Sequence, residues 1–113
     1  MELKAIQQTI HNLFEDMGQG GLRANGIQQQ LIMDDERGQY QLLSIGWDGM
    51  KRTFDVFAHV NIHDGFVWLE VDNTDRGIAD ALVELGIPKD KIVLGFQAPY
   101  KRKFTEFATG DAA

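Results

Sequence analysis

The residues of this sequence that could do chemistry are two histidines in an extended segment and a cluster of acids. His59 and His63 lie four residues apart, so they share a face but stand about 13 Å apart, too far to bind one metal ion. A polar turn contains three consecutive acids, Asp34, Asp35 and Glu36, but their spacing is not that of the ligands in a cation site. The chain has no cysteine, which excludes thiolate ligands and cysteine nucleophiles.

The glycine-rich segments lack the context of a phosphate-binding loop. Gly46-x-x-Gly49 and the segment Gly18–Gly21 do not stand between a strand and a helix, which a phosphate cradle requires. The sequence also contains no nucleophile elbow and no acid–base pair. We therefore predict no catalytic residue, no cofactor, no metal site and a protein that is not an enzyme.

Composition and charge narrow the class of protein further. The 113 residues are 43% hydrophobic and 25% charged, as expected for a single globular domain spanning 1–113. The net charge of −6 has the wrong sign for a surface that neutralises phosphates. No apolar run is long enough for a membrane span, and Met1–Lys4 lacks the pattern of a signal peptide, so we expect a cytoplasmic protein.

Two hydrophobic periods divide the chain into helices and strands. Apolar residues at spacings of three and four predict an N-terminal helix over 1–17, and the glycines of 18–26 predict a loop. A period of two over 27–72 predicts a four-stranded antiparallel meander. Polar and glycine residues mark its three turns: Asp35–Gly38, Asp48–Gly49 and Asp64–Gly65.

A second helix is predicted over 74–86, with Asn73, Thr74 or Asp75 as its cap and Gly86 at its end. The apolar run 92–94 suggests a small edge strand, and a tail follows over 97–113. The order α-β-β-β-β-α indicates an α+β two-layer sandwich, with both helices packed on one face of the sheet.

The Asp64–Gly65 turn sets an expected strand register. Counting from it gives one set of facing residues: His63–Phe66, Asn61–Trp68 and His59–Glu70. The alternate set is apolar throughout and should face the helices: Ile62–Val67, Val60–Leu69 and Ala58–Val71.

The sheet face away from the helices is then expected to be unusually apolar. It should carry Tyr40, Leu42, Phe57, Phe66 and Trp68, beside Asp55, His59, Asn61 and Glu70. Contiguous aromatic surface next to water commonly marks an interface. Two coverings stay open: a second copy or another partner protein, or the chain's own end, which contains Phe96, Tyr100, Phe104 and Phe107.

Six segments of the chain carry a family resemblance: Tyr40–Gly49, His63–Gly65, Gly77–Ala79, Leu85–Lys89, Ile92–Phe96 and Pro99–Ala108. These segments resemble the XisI-like family, the fdxN element excision controlling factors of cyanobacteria. They follow one another in the family's order over residues 27–108, with the first helix in the expected place. The resemblance implies an accessory role in a programmed DNA rearrangement during heterocyst development. A separate site-specific recombinase performs the strand chemistry, and a companion protein, XisH, is often encoded alongside.

The resemblance implies no catalytic residues, and we expect a regulatory protein that binds XisH or the recombinase and touches DNA at most indirectly. The residues expected at a partner or dimer interface are Tyr40, Leu42, Phe57, Phe66 and Trp68. The expected contacts with a nucleic acid or an acidic partner are Lys101, Arg102, Lys103 and Phe104. Two alternatives remain: weak direct DNA binding through Lys51, Arg52 and 101–103, or a small-molecule-binding or enzymatic domain with polar groups in a pocket between sheet and helices.

Overall fold

One N-terminal helix, a five-stranded sheet and short C-terminal helices form an α+β fold in the computed structural model, which describes residues 1–18 and 26–111. Most of the loop predicted over 18–26 therefore lies outside the described residues. The elements in chain order are α1 (Leu3–Gly18), β1 (Ile27–Asp34), β2 (Gln39–Asp48), β3 (Lys51–His63), β4 (Phe66–Asp72), α2 (Ile78–Glu84), a 3₁₀ turn (Lys89–Lys91), β5 (Ile92–Leu94) and α3 (Pro99–Arg102).

The strands lie side by side in chain order, β1-β2-β3-β4-β5. The first four are antiparallel neighbours, as the period of two predicts. β5 pairs with β4 in parallel, so the sheet is mixed and has five strands instead of the predicted four-stranded meander. α2 supplies the crossover that a parallel neighbour needs.

The tight turns between β2 and β3 and between β3 and β4 both contain the glycines that marked them in the sequence. Asp64 and Gly65 both have positive φ angles, 54° and 80°, as a two-residue turn of type I′ requires. In the β2–β3 hairpin Asp48 pairs with Lys51, so the loop residues are Gly49 and Met50, one position later than predicted.

The core lies between the helices and one face of the sheet, which we call the helix face. α1 and α2 bury their apolar stripes against it: Ile6, Ile10, Leu13, Phe14, Ile78, Ala81 and Leu82. The sheet contributes Tyr40, Leu42, Ala58, Val60, Val67, Leu69 and Ile92. Burial of these side chains is the main stabilising term of the fold, at about 2 kcal/mol for each large apolar residue.

α2 begins four residues later than predicted because Asp72 and Gly77 shape the loop before it. The Asp72 carboxylate accepts hydrogen bonds from the backbone N–H groups of Thr74 at 3.0 Å and Ile78 at 2.7 Å. Gly77 takes a φ of 92°, which favours glycine. The loop is therefore held in a non-helical conformation, and the side chain that accepts from the first N–H of α2 is that of Asp72 and not, as predicted, that of Asn73, Thr74 or Asp75.

A β-bulge at Phe57 changes which residues of β3 face the helices. Leu42 pairs with Ala58 whereas Leu43 pairs with Val56, so Phe57 is the extra residue. After the bulge the even-numbered residues face the helices, as predicted. Before the bulge the even-numbered residues face away from them, because each extra residue shifts the alternation by one.

A second bulge interrupts the β3–β4 register. Val60 pairs with Leu69 but His59 pairs with Val71, which leaves Glu70 as the extra residue. Four of the predicted pairs are confirmed: His63–Phe66, Asn61–Trp68, Ile62–Val67 and Val60–Leu69. The predicted pairs His59–Glu70 and Ala58–Val71 are wrong, since the bulge lies between them and the turn.

Candidate protein-binding surfaces

The sheet face turned away from the helices, which we call the far face, carries an apolar patch on β1, β2 and β3. Cross-strand pairing gathers the side chains of this far-face patch: Ile32, Leu43, Ile45, Trp47, Phe54 and Val56. Trp47 is 55% exposed and Phe54 is 62% exposed, whereas Leu43 is buried. Contiguous apolar area of this kind is typical of an interaction surface.

Charged groups are almost excluded from the far-face patch. Arg52 lies beside it, with its guanidinium carbon 5.5 Å from the Trp47 ring centre and 5.9 Å from that of Phe54. Such contacts let an arginine lie along aromatic rings while its charge stays hydrated. Asp55 alternates onto the opposite face. The neighbouring polar side chains on β1 are Gln28, Gln30 and Asp34, and the Asp34 carboxylate is paired with Arg37 at 3.1 Å.

Three of the residues predicted for this surface lie in or against the core. Tyr40 pairs with Val60 and Leu42 with Ala58, both on the helix face, and both are fully buried. Phe57 is the bulge residue and packs against the core cluster. The prediction that Tyr40, Leu42 and Phe57 lie on the far face is therefore wrong. The prediction assumed uninterrupted alternation along β3, and it was made without working out how β2 pairs with β3.

Trp68, by contrast, is covered by the chain itself. The His63 ring stacks on it, with ring centres 4.6 Å apart and planes 9° from parallel. The Arg102 guanidinium lies 5.2 Å from the ring centre, and a Cβ on Gly110 would approach Trp68 to 2.5 Å. The end of the chain therefore folds back over part of the far face, one of the two coverings expected, but Arg102 and Gly110 form this covering while Phe96, Tyr100 and Phe104 stay exposed. Phe66 is half-buried at the start of the same strand.

Two buried polar atoms beneath this covering have no hydrogen-bond partner. They are Asn61 Oδ1 and Trp68 Nε1, on residues that pair across β3 and β4. An unpaired buried donor or acceptor costs about 1–3 kcal/mol. The covering of Trp68 is therefore held in place by its anchoring contacts and not by hydrogen bonds to these two atoms.

The segment 99–110 is anchored at several points along its length. Arg102 donates from Nε to the carbonyl of Gln97 at 3.1 Å and from Nη2 to that of Gly95 at 3.3 Å. The Ala108 N–H donates to the carbonyl of Ile92 at 2.8 Å, in an isolated bridge at the β5 edge. Phe107 packs against the core. Of the basic triplet, Arg102 is thus committed to the fold.

The same anchored segment points large side chains outward. Tyr100 is 68% exposed and Phe104 is 79% exposed. Lys101 and Lys103 are also exposed, and each ammonium lies near one of these rings, at 5.8 Å from Tyr100 and 5.2 Å from Phe104. We call Tyr100, Lys101, Lys103 and Phe104 the C-terminal contact group. Of the predicted contact residues, Lys101, Lys103 and Phe104 are therefore exposed together, whereas Arg102 packs against Trp68.

A polar cluster that the sequence analysis did not find links α1 to the β1–β2 turn. Asp35 Oδ1 accepts hydrogen bonds from the Tyr40 hydroxyl at 2.7 Å and lies 2.8 Å from His11 Nε2. These hydrogen bonds, first that of Tyr40 and then that of His11, hold the pKa of Asp35 below its ordinary value. Burial, followed by the carboxylate of Asp35, raises the pKa of Tyr40. The residues come from three separate segments, so no sequence spacing signals the cluster.

The remaining candidate sites offer little for chemistry. His59 lies 2.9 Å from Gln39 Oε1 and does not face Glu70. Among the described residues, no three histidine, cysteine or acidic side chains are grouped so that they could hold a metal ion. A surface cleft of about 300 Å³ lies between α1, the sheet and the start of α2, and its lining combines apolar side chains such as Leu13 and Ile78 with polar ones that include Asp16, Thr74 and Arg76. Within the described part of the chain no helix has the length and apolar character to cross a membrane.

Comparison with known proteins gives the family directly. The model of the XisI protein family matches residues 1–109. A XisI-like protein from Anabaena variabilis, known from its crystal structure, is 37% identical with a TM-score of 0.88, over 95% of this chain and 98% of the other. The crystal structure of fdxN element excision controlling factor XisI from Anabaena variabilis is 35% identical with a TM-score of 0.82, over 96% and 98%. No curated protein matches. This chain belongs to the XisI family.

Proposed function

We propose that this protein is a non-catalytic accessory factor of programmed DNA excision, which acts by binding a XisH-like protein or the site-specific recombinase. One of the two relatives of known structure is named as an fdxN element excision controlling factor. A controlling role fits an excision whose strand chemistry is carried out by other proteins. A controlling factor of this kind needs a surface that holds a protein partner, and no group of its own has to react.

The observation that carries the proposal is the C-terminal contact group. Tyr100 and Phe104 are the two most exposed aromatic side chains among the described residues, yet their segment is fixed by Arg102 and Ala108. Aromatic anchors on a pre-ordered segment lose little conformational entropy on binding, and such residues dominate the energetics of protein interfaces. The group thus has the properties of a binding epitope.

The charges beside the rings indicate the chemistry of the partner surface. Lys101 and Lys103 flank Tyr100 and Phe104, so the complementary surface is an apolar groove with carboxylates at its rim. The chain as a whole carries a net charge of −6 and repels a phosphate backbone. DNA is therefore contacted by the partner, and this protein adjusts what the partner does.

Co-purification of this protein with a XisH-like protein and with the recombinase tests the proposal. The wild-type chain should form a stable complex with one of them, and the double variant Tyr100→Ser, Phe104→Ser should lose most of that binding. Leu85→Ser is the matched control, because it removes an exposed apolar side chain from the end of α2. Absence of any complex with either protein would contradict the function. Undiminished binding by the double variant would show that the C-terminal contact group is not the binding surface.

Direct contact with DNA is a second candidate function, favoured by the same two lysines. Aromatic rings beside cations can stack on unpaired bases while the ammonium groups meet phosphates. This function predicts a complex with single-stranded DNA that dissociates at moderate salt, because few cations take part. A gel-shift series with the double variant Lys101→Gln, Lys103→Gln distinguishes DNA binding from partner binding. Binding to DNA should vanish in this variant, whereas the complex with a partner protein should only be weakened.

A further inference from the structure

We propose that the far-face patch is the interface of a symmetric homodimer, in which the far faces of two copies of this chain stack on each other. This inference is independent of the C-terminal contact group, and it adds a partner that the proposed function does not require. Sheets of this kind pack face to face about 10 Å apart, with apolar side chains interleaved between them.

The exposed area is of the size that a dimer needs. Trp47 and Phe54 each leave more than half of a large ring in water, which is about 100 Å² of surface per ring. Together with Ile32, Val56 and the bordering side chains, the surface offered by each chain is on the order of 600 Å², the lower end of what stable interfaces bury per partner. A single patch of this size is at the upper limit for a protein that stays monomeric.

The distribution of charge selects a second copy as the occupant. In a chain of net charge −6, two copies can approach only through a surface that carries few acids. No carboxylate lies within the far-face patch, and Asp34 at its β1 border is paired with Arg37 at 3.1 Å, so stacking the patch on itself brings few like charges together. A basic partner protein would instead be attracted to the acidic surfaces elsewhere on the chain.

The shape of the patch also suits a two-fold axis. Leu43 is already buried, whereas Phe54 lies diagonally across from it on β3 and Trp47 lies four residues further along β2, next to Phe54. In an isologous interface each apolar contact occurs twice, once from each protomer, so both rings of both copies are buried. Arg52 remains at the rim, where its guanidinium stays hydrated.

Sedimentation equilibrium of the full chain at micromolar concentrations tests the proposal. The wild-type protein should have twice the mass of one chain. Phe54→Asp should associate at least about a hundredfold more weakly, because each dimer would bury the new carboxylate twice. Leu85→Asp is the matched control and should stay dimeric, since it places the same charge on an exposed leucine away from the far face. Far-UV circular dichroism and a thermal melt show that both variants fold.

Tryptophan fluorescence gives a second measurement of the same contact. In the variant Trp68→Phe, Trp47 is the one remaining tryptophan, and its emission should shift to shorter wavelength as the protein concentration rises. Loss of dimerisation in Phe54→Asp with retained binding of a XisH-like protein would support both proposals separately. A wild-type chain that stays monomeric throughout would overturn the dimer. So would a patch variant that loses only the complex with another protein.

Discussion

The hydrogen bond between Tyr40 and Asp35 should contribute measurably to stability, and Tyr40→Phe isolates it. The phenylalanine keeps the fully buried ring of Tyr40 and removes only the hydroxyl that donates to the Asp35 carboxylate at 2.7 Å. A hydrogen bond to a charged acceptor contributes about 1.5–3 kcal/mol. The Asp35 side chain is 51% exposed, so water can replace the lost donor, and we expect the lower end of that range, about 1.5 kcal/mol.

Urea denaturation at pH 7 measures this loss directly. Tyr100→Phe is the matched control, because it makes the same chemical change on a ring that is 68% exposed. It should leave the free energy of unfolding within error of the wild-type value, whereas Tyr40→Phe should lower it by about 1.5 kcal/mol, which in a separate thermal melt corresponds to a drop of about 5 °C in melting temperature. A double-mutant cycle with Asp35→Ala should give a coupling energy of about 1 kcal/mol between the two side chains.

The pH dependence gives the same argument an independent check. The pKa of Asp35 lies below its ordinary value of 3.8, first because of Tyr40 and then because of His11. The stabilisation is therefore fully present above pH 3.8 and is lost as the pH falls through the lowered pKa of the folded protein. The difference in unfolding free energy between wild type and Tyr40→Phe should narrow over that interval. Equal stability at pH 7, or a difference that does not change on acidification, would refute the reasoning.

Three further predictions concern the core and the C-terminal segment. Phe14→Ala should lower the unfolding free energy by about 3–5 kcal/mol in denaturant titrations, because its ring is fully buried, whereas Phe104→Ala should change it little. Gly110→Ala should loosen the covering of Trp68, since the new Cβ would lie 2.5 Å from the ring at a φ of 83°, and the result should be a red shift of tryptophan emission. The pKa of Glu106 should be found below its ordinary 4.5 by NMR titration, because Lys89 donates to it at 2.7 Å; this link stabilises the fold above pH 4.5 and is lost as the pH falls through the lowered value.

The sequence was sufficient for most of the elements and for the family. The helical spacing of α1, the alternation of the four antiparallel strands and the glycine turns are local signals, and each of these elements is present. The start of α2 was harder to predict because it depends on Asp72, which lies six residues before Ile78 and acts through its side chain. The parallel pairing of β5 depends on a crossover, which three apolar residues in a row do not reveal.

The sequence predicted an apolar far face, but three of the five residues assigned to it lie in or against the core. An apolar far face is present, and Trp68 lies on it under the covering expected from the chain's own end. The exposed aromatic rings on the far face, however, are those of Trp47 and Phe54. Counting back from the predicted Asp48–Gly49 turn places Trp47 opposite Met50 and Ile45 opposite Arg52, so Ile45 comes to face Phe54 only because the loop is Gly49–Met50.

The Phe57 bulge explains why the far face is apolar at all. Strand β3 has apolar residues at even positions along both halves, and unbroken alternation would place Phe54 and Val56 on the same side as Ala58 and Val60. The bulge admits the Phe57 ring to the core and turns the preceding even positions to the far face, next to Ile45 and Trp47 of β2. One inserted residue thus separates the apolar residues of a single strand into a core half and a surface half. The surface half lies next to apolar neighbours, so Phe54 is part of an extended apolar surface and is not a single misplaced side chain. An extended apolar surface of this kind is what a second sheet can bury.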